Sequence, residues 1–368
     1  MPTSLLSPAG GSVHSVVSIT SNFQSEAPLH PAVIEALGAV FGQSWADSSK
    51  LPADSRKARL LLDESKETFA QNLGVRSDGI HFLGEVNLGF YLGIFGLLDS
   101  QKNFSYSAID RSEVFAIAAE LGEKGFAVQE LTCDSGGTIA RPELDNQSVI
   151  SWQLRNGETG ISQPALIDCS AQIFVDATSS GIRNPLPKNW KAALWDSKAW
   201  GGPSGLGIFA LAPDAKYRNP IPNLENRIVP GSASLPLIIA SAMAVELWAE
   251  REQTERNRLA AIALNIANFA KSEIGDVDVI AATHDLVSLS FLYIDAERLV
   301  SSLDRAGFAV DSGSACQATN MEPSHVLAAM GMLTQGNVRI TLHHGVAEND
   351  VTALLNSLKV LVQEQRAN

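Results

Sequence analysis

Basic residues are scarce in this chain. Lys and Arg number 27 against 40 Asp and Glu, which leaves a formal net charge of −13 and a pI near 5.0. Such a surface repels phosphates, so direct nucleic-acid binding is not expected. Cysteine is scarcer still, at Cys133, Cys169 and Cys316 only. An odd, irregularly spaced set is not a disulfide framework. It suits a reducing cytoplasm, with one thiol for chemistry and the others packed. No apolar run reaches membrane-spanning length. The most apolar, residues 88–98, is short enough to be a buried helix, and no membrane association is expected. Residues 1–18 lack a basic stretch followed by an apolar one, so no signal peptide is expected. His343 and His344 are adjacent, which does not match zinc-ligand spacing, and no metal is inferred.

What the chain does have is length and alternation. Its 368 residues, 45% hydrophobic and 18% charged, suit two globular units. Strand-like runs at 80–82, 103–108, 126–131, 149–154 and 172–176 are interleaved with helix-like runs, the longest of them at 88–98 and 111–124. That order predicts an α/β domain with a mainly parallel sheet. Two further strands, 192–195 and 206–211, flank a glycine-rich turn. A helix over roughly 237–274 has Leu259, Ile262, Ile266 and Phe269 on one face. Beyond it, strands at 286–293, 308–311 and 338–342 and helices at 296–306 and 350–365 read as a smaller α+β domain. The expected division is an N-terminal segment 1–20, a large domain 21–250 and a small domain 251–368.

Four side chains stand out chemically. Asp176 closes a short buried strand, where open α/β sheets place ligands. A buried carboxylate there calls for a cation, which a protonated pyridine nitrogen supplies, although a turn-capping role also explains one aspartate. Lys198 lies between two apolar strands. Apolar flanks desolvate an amine and suit it to Schiff-base chemistry, whereas a loop lysine reaching solvent is the plainer reading. Cys316 sits among small residues, Ser312-Gly313-Ser314-Ala315-Cys316-Gln317-Ala318. That is either an accessible nucleophilic thiol or a small half-buried apolar residue. Arg339, inside an apolar strand, pairs with a carboxylate, either a substrate's or an internal one.

These elements together resemble the cysteine desulfurases, in the class V aminotransferase group of fold-type I pyridoxal-phosphate (PLP) enzymes. The C-terminal stretch carries most of the likeness. It runs from Ser312-Gly313-Ser314-Ala315-Cys316 through Glu322-Pro323-Ser324-His325-Val326-Leu327 to Val338-Arg339-Ile340-Thr341. Val175-Asp176-Ala177-Thr178, Ser197-Lys198, the turn Gly201-Gly202-Pro203-Ser204-Gly205 and Asn156-Gly157-Glu158-Thr159-Gly160 match further segments in order. The resemblance implies a mainly parallel sheet of the seven-stranded type and a homodimer, in which the Gly231-Ser232 pair reaches the neighbouring subunit's cofactor phosphate. Lys198 would hold the PLP aldehyde, Asp176 the ring nitrogen, Asn156 the ring hydroxyl or the substrate, and Arg339 the substrate carboxylate. Cys316 would take sulfur from L-cysteine or a related amino acid as a persulfide. A sulfur-acceptor protein would then use it for iron–sulfur clusters or thiolated molecules.

The sequence also departs from the family pattern. Arg111 stands in place of a stacking, proton-shuttling histidine, and a guanidinium is a poor acid–base group. Gly84-Glu85-Val86-Asn87 replaces the phosphate-binding segment, leaving Val86 and Asn87 at its contact positions, with Glu85 repulsive if it faces the phosphate. Ser197 replaces a histidine and Ser179 a glutamine that would bond the ring hydroxyl. The cofactor set expected by resemblance is therefore Asp176, Asn156, Ser179, Arg111, Val86, Asn87, Ser197 and Ser232. Alternatives to desulfuration are another class V reaction (transamination, selenocysteine or cysteine sulfinate lysis) or a non-catalytic paralogue that acts as a binding partner.

Overall fold

A computed structural model describes residues 21–26, 29–42, 46–98, 103–141, 148–166, 169–182, 184–222, 228–229, 233–313 and 324–367. In chain order the elements begin with β1 (Ser21–Phe23), α1 (Pro31–Phe41), α2 (Ala53–Leu73), β2 (Ile80–Leu83), α3 (Leu88–Leu97), β3 (Asn103–Ser107), α4 (Ser112–Glu123) and β4 (Val128–Leu131). There follow β5 (Ser148–Gln153), β6 (Gln172–Asp176), β7 (Trp190–Asp196), β8 (Gly207–Leu211), α5 (Leu235–Phe269), β9 (Val277–Ala282) and β10 (Leu286–Phe291). The chain closes with α6 (Ala296–Arg305), β11 (Phe308–Val310), α7 (His325–Ala329), β12 (Asn337–Thr341) and α8 (Glu348–Ala367).

The main sheet has seven strands in the order β2-β8-β7-β6-β5-β3-β4. Strands β4, β3, β5, β6 and β7 run parallel, and β8 pairs antiparallel with both β7 and β2. Every residue of β5 is buried, as expected for a strand covered on both faces. Helix α3 is apolar all round and packs onto this sheet through glycines. A Cβ at Gly93 would stand 2.2 Å from the Phe174 ring, and one at Gly89 would stand 2.4 Å from Leu194, so only glycine permits this approach.

The α/β class expected from the sequence, with a mainly parallel seven-stranded sheet, is the fold observed. The C-terminal part forms a three-stranded antiparallel sheet, β12-β10-β9, with its own core of Leu259, Ile266, Val287, Leu289, Val338, Leu354 and Leu358. Helix α5 joins the two cores: Ile238 and Val245 pack in the first, Leu259 and Ile262 in the second. It ends at Phe269 and widens into a π-helical turn over Ala270–Ile274. Strand β1 pairs in parallel with β11, and Phe23 lies in the C-terminal core, so the chain enters through the smaller unit before building the larger one. Among the described residues no helix is long and apolar enough to cross a membrane.

Candidate active site

Parallel pairing brings the carboxyl ends of β3, β5, β6 and β7 to one edge of the sheet, the place where open α/β sheets bind ligands. The loops leaving them carry Asp110 and Arg111, Asn156, Asp176 and Ser179, and Lys198. These loops, helix α5 and the small sheet enclose a cleft of about 780 Å³. Arg111, Asn156, Ser179, Lys198 and Arg339 all line it.

Asp176 is 3% exposed. Its Oδ1 accepts the backbone N–H of Thr178 at 2.9 Å and the Thr178 hydroxyl at 2.6 Å. Its Oδ2 accepts Arg111 Nε at 3.2 Å, and Arg111 Nη2 donates to the Ser179 hydroxyl at 2.7 Å. Asp176 thus caps its own turn, the plainer of its two readings, and its second oxygen is met by a cation of the chain itself. That cation is Arg111, at the position aligned with the family's histidine. Gly157 lets the neighbouring turn close over this corner, since a Cβ there would stand 2.7 Å from Ser179 Oγ.

Lys198 lies in the 3-10 turn Ser197–Trp200 after β7. Its side chain is 40% exposed, and its amine stands 3.2 Å from Glu26 and 3.9 Å from Asp196. The expectation of a desolvated amine is corrected here: the flanking strands are apolar, but the turn lifts the lysine into the cleft among carboxylates. Burial raises the pKa of Asp196.

Other expected cofactor contacts need correction too. Ser197 does not line the cleft. It is fully buried, and its hydroxyl donates to Ser241 on α5 at 2.7 Å, because the tight turn sends alternate side chains to opposite sides. Val86 and Asn87 are not on the cleft wall. The Asn87 N–H donates to the Glu85 carboxylate at 3.1 Å. Asn156 reaches the wall, but its amide is committed to its own turn. Nδ2 donates to the Ile109 carbonyl and to Gln153, and Oδ1 accepts from Glu158 N and from both Thr159 N and Oγ1. It anchors the turn rather than offering a free contact. Cys316 and Ser232 lie outside the described residues.

Sequence reasoning missed several groups. Arg155 pairs bidentately with Asp285, donates to Thr283 and to the carbonyls of Gly160 and Ser179, and so ties the β5 turn to the small sheet. Glu26, just after β1, reaches the Lys198 amine from 172 positions away, with no local signal to announce it. Asp110 is 1% exposed. Its Oδ2 accepts the Ser107 N–H, while its Oδ1 is buried without a partner. Burial, reinforced by Asp176, pushes its pKa up to about 8. The one available signal was an acid directly preceding Arg111. Burial likewise lowers the pKa of His343, whose Nε2 lies 2.6 Å from the Gln24 carbonyl oxygen.

The fold is the one seen in the solved structures named below, and residues 221–354 match the family model described as aminotransferase class-V. Over 94% of its length the chain is 24% identical to the cysteine desulfurase IscS of Dictyoglomus turgidum, covering 94% of that protein. A solved NifS-like protein superposes with a TM-score of 0.83 at 20% identity, over 93% of this chain and 99% of that one. A structure of SspA in complex with cysteine superposes at 0.71 and 22% identity, over 88% and 99% of the two chains. The likeness to cysteine desulfurases read from separate motifs therefore runs along almost the whole chain.

Proposed function

We propose that this chain is a PLP-dependent enzyme of the cysteine-desulfurase type. It removes sulfur from L-cysteine, releases alanine and carries the sulfur as a persulfide on Cys316. One observation carries the reading: Lys198 and the Asp176–Arg111–Ser179 corner follow neighbouring parallel strands and serve one cleft, to which β12 brings Arg339.

The donor set fits a pyridine aldehyde. An amine stands open to the cleft, a buried carboxylate lies behind it, and a planar guanidinium and a hydroxyl complete the corner. Lys198 would hold the aldehyde, Asp176, whose Oδ2 accepts from Arg111, would answer the ring nitrogen from behind the cleft wall, and Ser179 would offer its hydroxyl to the ring oxygen. When bound, PLP supplies the electron sink for bond-breaking next to the substrate's α-carbon. Arg339 orients the substrate carboxylate, and a guanidinium suits that task because its paired N–H groups match two carboxylate oxygens. Arg111 cannot shuttle protons near neutral pH, so it serves as a fixed charge holding Asp176 and Ser179 in place. The Cys316 thiolate would attack the substrate sulfur, and the carbon–sulfur bond would break with its electron pair left on the carbon, which takes up a proton to become the methyl group of alanine; the persulfide would then pass to an acceptor protein for iron–sulfur clusters or thiolated products.

A homodimer agrees with the large apolar side chains exposed around α1 and α2, namely Ile34, Phe41, Leu51 and Leu60. A cytoplasmic setting agrees with the free thiols of Cys133 and Cys169.

The test is a visible spectrum of the purified protein with PLP, before and after sodium borohydride. A Schiff-base band that borohydride removes, and that Lys198→Ala lacks, supports the reading. Cys316→Ala is expected to keep the band and lose persulfide formation from cysteine, whereas persisting turnover of an amino acid selects another class V reaction. The burial of Ser197 favours a second reading, a non-catalytic paralogue acting as a binding partner. A protein that stays colourless with PLP selects it.

A further inference from the structure

We infer that the α5 wall of the cleft carries a second oxyanion site, apart from Arg339, built on Arg251 and Arg256 with the imidazoles of His284 and His344. Its ligand is a small anion with two or more oxygens: a carboxylate, sulfinate or phosphate group. The site does not depend on the reading of Lys198.

Helix α5 turns one stripe to the cleft. Ala244, Leu247, Trp248 and Arg251 line it at i, i+3, i+4 and i+7, and Arg256 follows on the same wall. The small unit adds His284, in the turn between β9 and β10, and His344, after β12. The rings of Trp248 and His344 meet T-shaped with 5.6 Å between centroids, which fixes α5 against the loop after β12.

The chain is acidic overall, with a net charge of −13, yet the carboxylates around these groups are neutralised within the chain. Glu252 accepts Arg256 Nη2, and Asp285 pairs bidentately with Arg155. Glu255 accepts Nε and Nη2 of Arg258 and the Gly345 N–H. Glu246 and Glu250, also on α5, are off the cleft wall. Each of the three carboxylates is thus matched by one arginine, and Arg251 is left over. It is exposed and makes no hydrogen bond or ion pair among the described residues. Arg256 gives one N–H to Glu252, while its Nε is buried without an acceptor. A buried guanidinium N–H rarely goes unpaired, so it marks a place for a water or an anion. A surplus positive charge inside a cavity is screened less than one on open surface.

The imidazoles add donors without adding charge. Burial lowers the pKa of both rings. At His344 the fields of Arg251, His30 and Arg258 add to that lowering, against Glu255. At His284 those of Arg155 and Arg256 do so, against Asp285 and Glu252. Both rings are therefore neutral near pH 7, and each offers one N–H. An oxyanion at this wall meets a planar guanidinium fork, an unpaired N–H and two imidazoles.

The probe is inorganic phosphate, titrated calorimetrically into the full-length protein without cofactor, at an ionic strength held constant with chloride. One saturable site with a roughly millimolar dissociation constant is expected. Arg251→Ala, at an exposed position, should weaken it about tenfold. Arg298→Ala, on α6 and outside the cleft, should leave it unchanged. The ring C2–H of His344, followed by NMR, should titrate at higher pH in phosphate than in chloride, because a bound anion favours the imidazolium. An Arg251 with a merely structural role would leave that titration unmoved. Absence of saturable binding overturns the inference, as does phosphate binding that is indifferent to Arg251→Ala. Repeating the titration on protein loaded with PLP and fixed with borohydride separates the sources of the anion. Phosphate binding that persists assigns the site to a second ligand or to the substrate's own anionic group, and its loss assigns the site to the cofactor's ester phosphate. A protein that forms no adduct with PLP defeats the Lys198 reading alone, and the cofactor-free titration still decides this one.

Discussion

Two adjacent strand ends in this molecule handle charge in opposite ways. At the end of β6, Asp176 is enclosed, accepts two hydrogen bonds from its own turn, and faces a permanent cation. At the end of β7, Lys198 is half-exposed and outnumbered by the carboxylates of Glu26 and Asp196. The strands are parallel neighbours, in register from Phe174 to Asp176. What differs is the turn that follows each. The β6 turn folds back on its own aspartate, whereas the β7 turn is a 3-10 coil that buries Ser197 and lifts Lys198 outward. The first geometry fixes a charge, and the second leaves an amine free to change partners. A site that must hold a ring and also form and release a covalent bond needs both.

The largest expected effect breaks the first half of that contrast. Asp176→Asn keeps the shape of the corner and removes its negative charge. Cysteine turnover is expected to fall about 10²- to 10³-fold, the usual consequence of deleting one preorganised electrostatic group. The Schiff-base band at Lys198 should survive, because the amine is held by the other strand. Absorbance and persulfide assays on one preparation separate the two outcomes, and loss of the band would show that the corners do not act independently.

The next effect tests whether enclosure itself carries stability. Arg155 and Asp285 form an ion pair with the arginine 9% exposed, and it bridges the two units of the fold. Arg155→Met leaves half-buried Asp285 with only the Thr283 hydroxyl and His284 beside it and should cost about 1–3 kcal/mol, read as a lower urea midpoint. A shift indistinguishable from that of a surface substitution would deny the pair its bridging role.

Asp110 supplies a pH-dependent comparison. Its carboxyl ordinarily titrates near 3.8, whereas in the fold it keeps its proton up to about 8, through burial and the neighbouring Asp176, partly offset by the Ser107 N–H and Arg111. Between these values the folded state binds more protons than the unfolded one, so stability falls as pH rises, and the loss is complete above the folded value. Asp110→Asn mimics the protonated acid and can still accept the Ser107 N–H. Its melting temperature should exceed the wild type's by a margin that widens by several degrees from pH 5 to pH 8. A margin independent of pH would mean that Asp110 ionises normally.

Local pattern made the frame legible in sequence, and long-range pairing hid the rest. Asp176 and Lys198 could be found because each follows a short apolar strand. Helix α3 could be found because it is apolar all round. Helix α2 was missed, since its sequence is dominated by exposed charged residues and only a narrow face, with Ala58, Phe69 and Leu73, is buried. Arg155 and Asp285 lie 130 positions apart, and nothing local announces their contact. Ser197 stands where the resembled family has a cofactor-binding histidine, but the direction of its side chain is set by a turn that sequence does not reveal. The pairing of β1 with β11 was hidden for the same reason: three residues carry too little pattern to name a partner at the far end of the chain.

The smallest effect sharpens the second half of the contrast. Glu26 and Lys198 are 65% and 40% exposed, and an ion pair that open contributes less than about 1 kcal/mol and weakens in salt. Glu26→Gln should therefore leave the urea midpoint almost unchanged. Kinetics should respond more than stability. Before the amine attacks an aldehyde it must lose a proton and leave Glu26, and glutamine imposes no charge on that departure. Schiff-base formation is expected to quicken by roughly threefold at low salt, a difference on the order of 0.5–1 kcal/mol, and the gain should shrink as salt screens the wild-type pair. A variant that binds aldehyde more slowly would mean that Glu26 positions the amine instead of restraining it, and the openness of the β7 corner would then have to come from Asp196, which stays beside the lysine in either case.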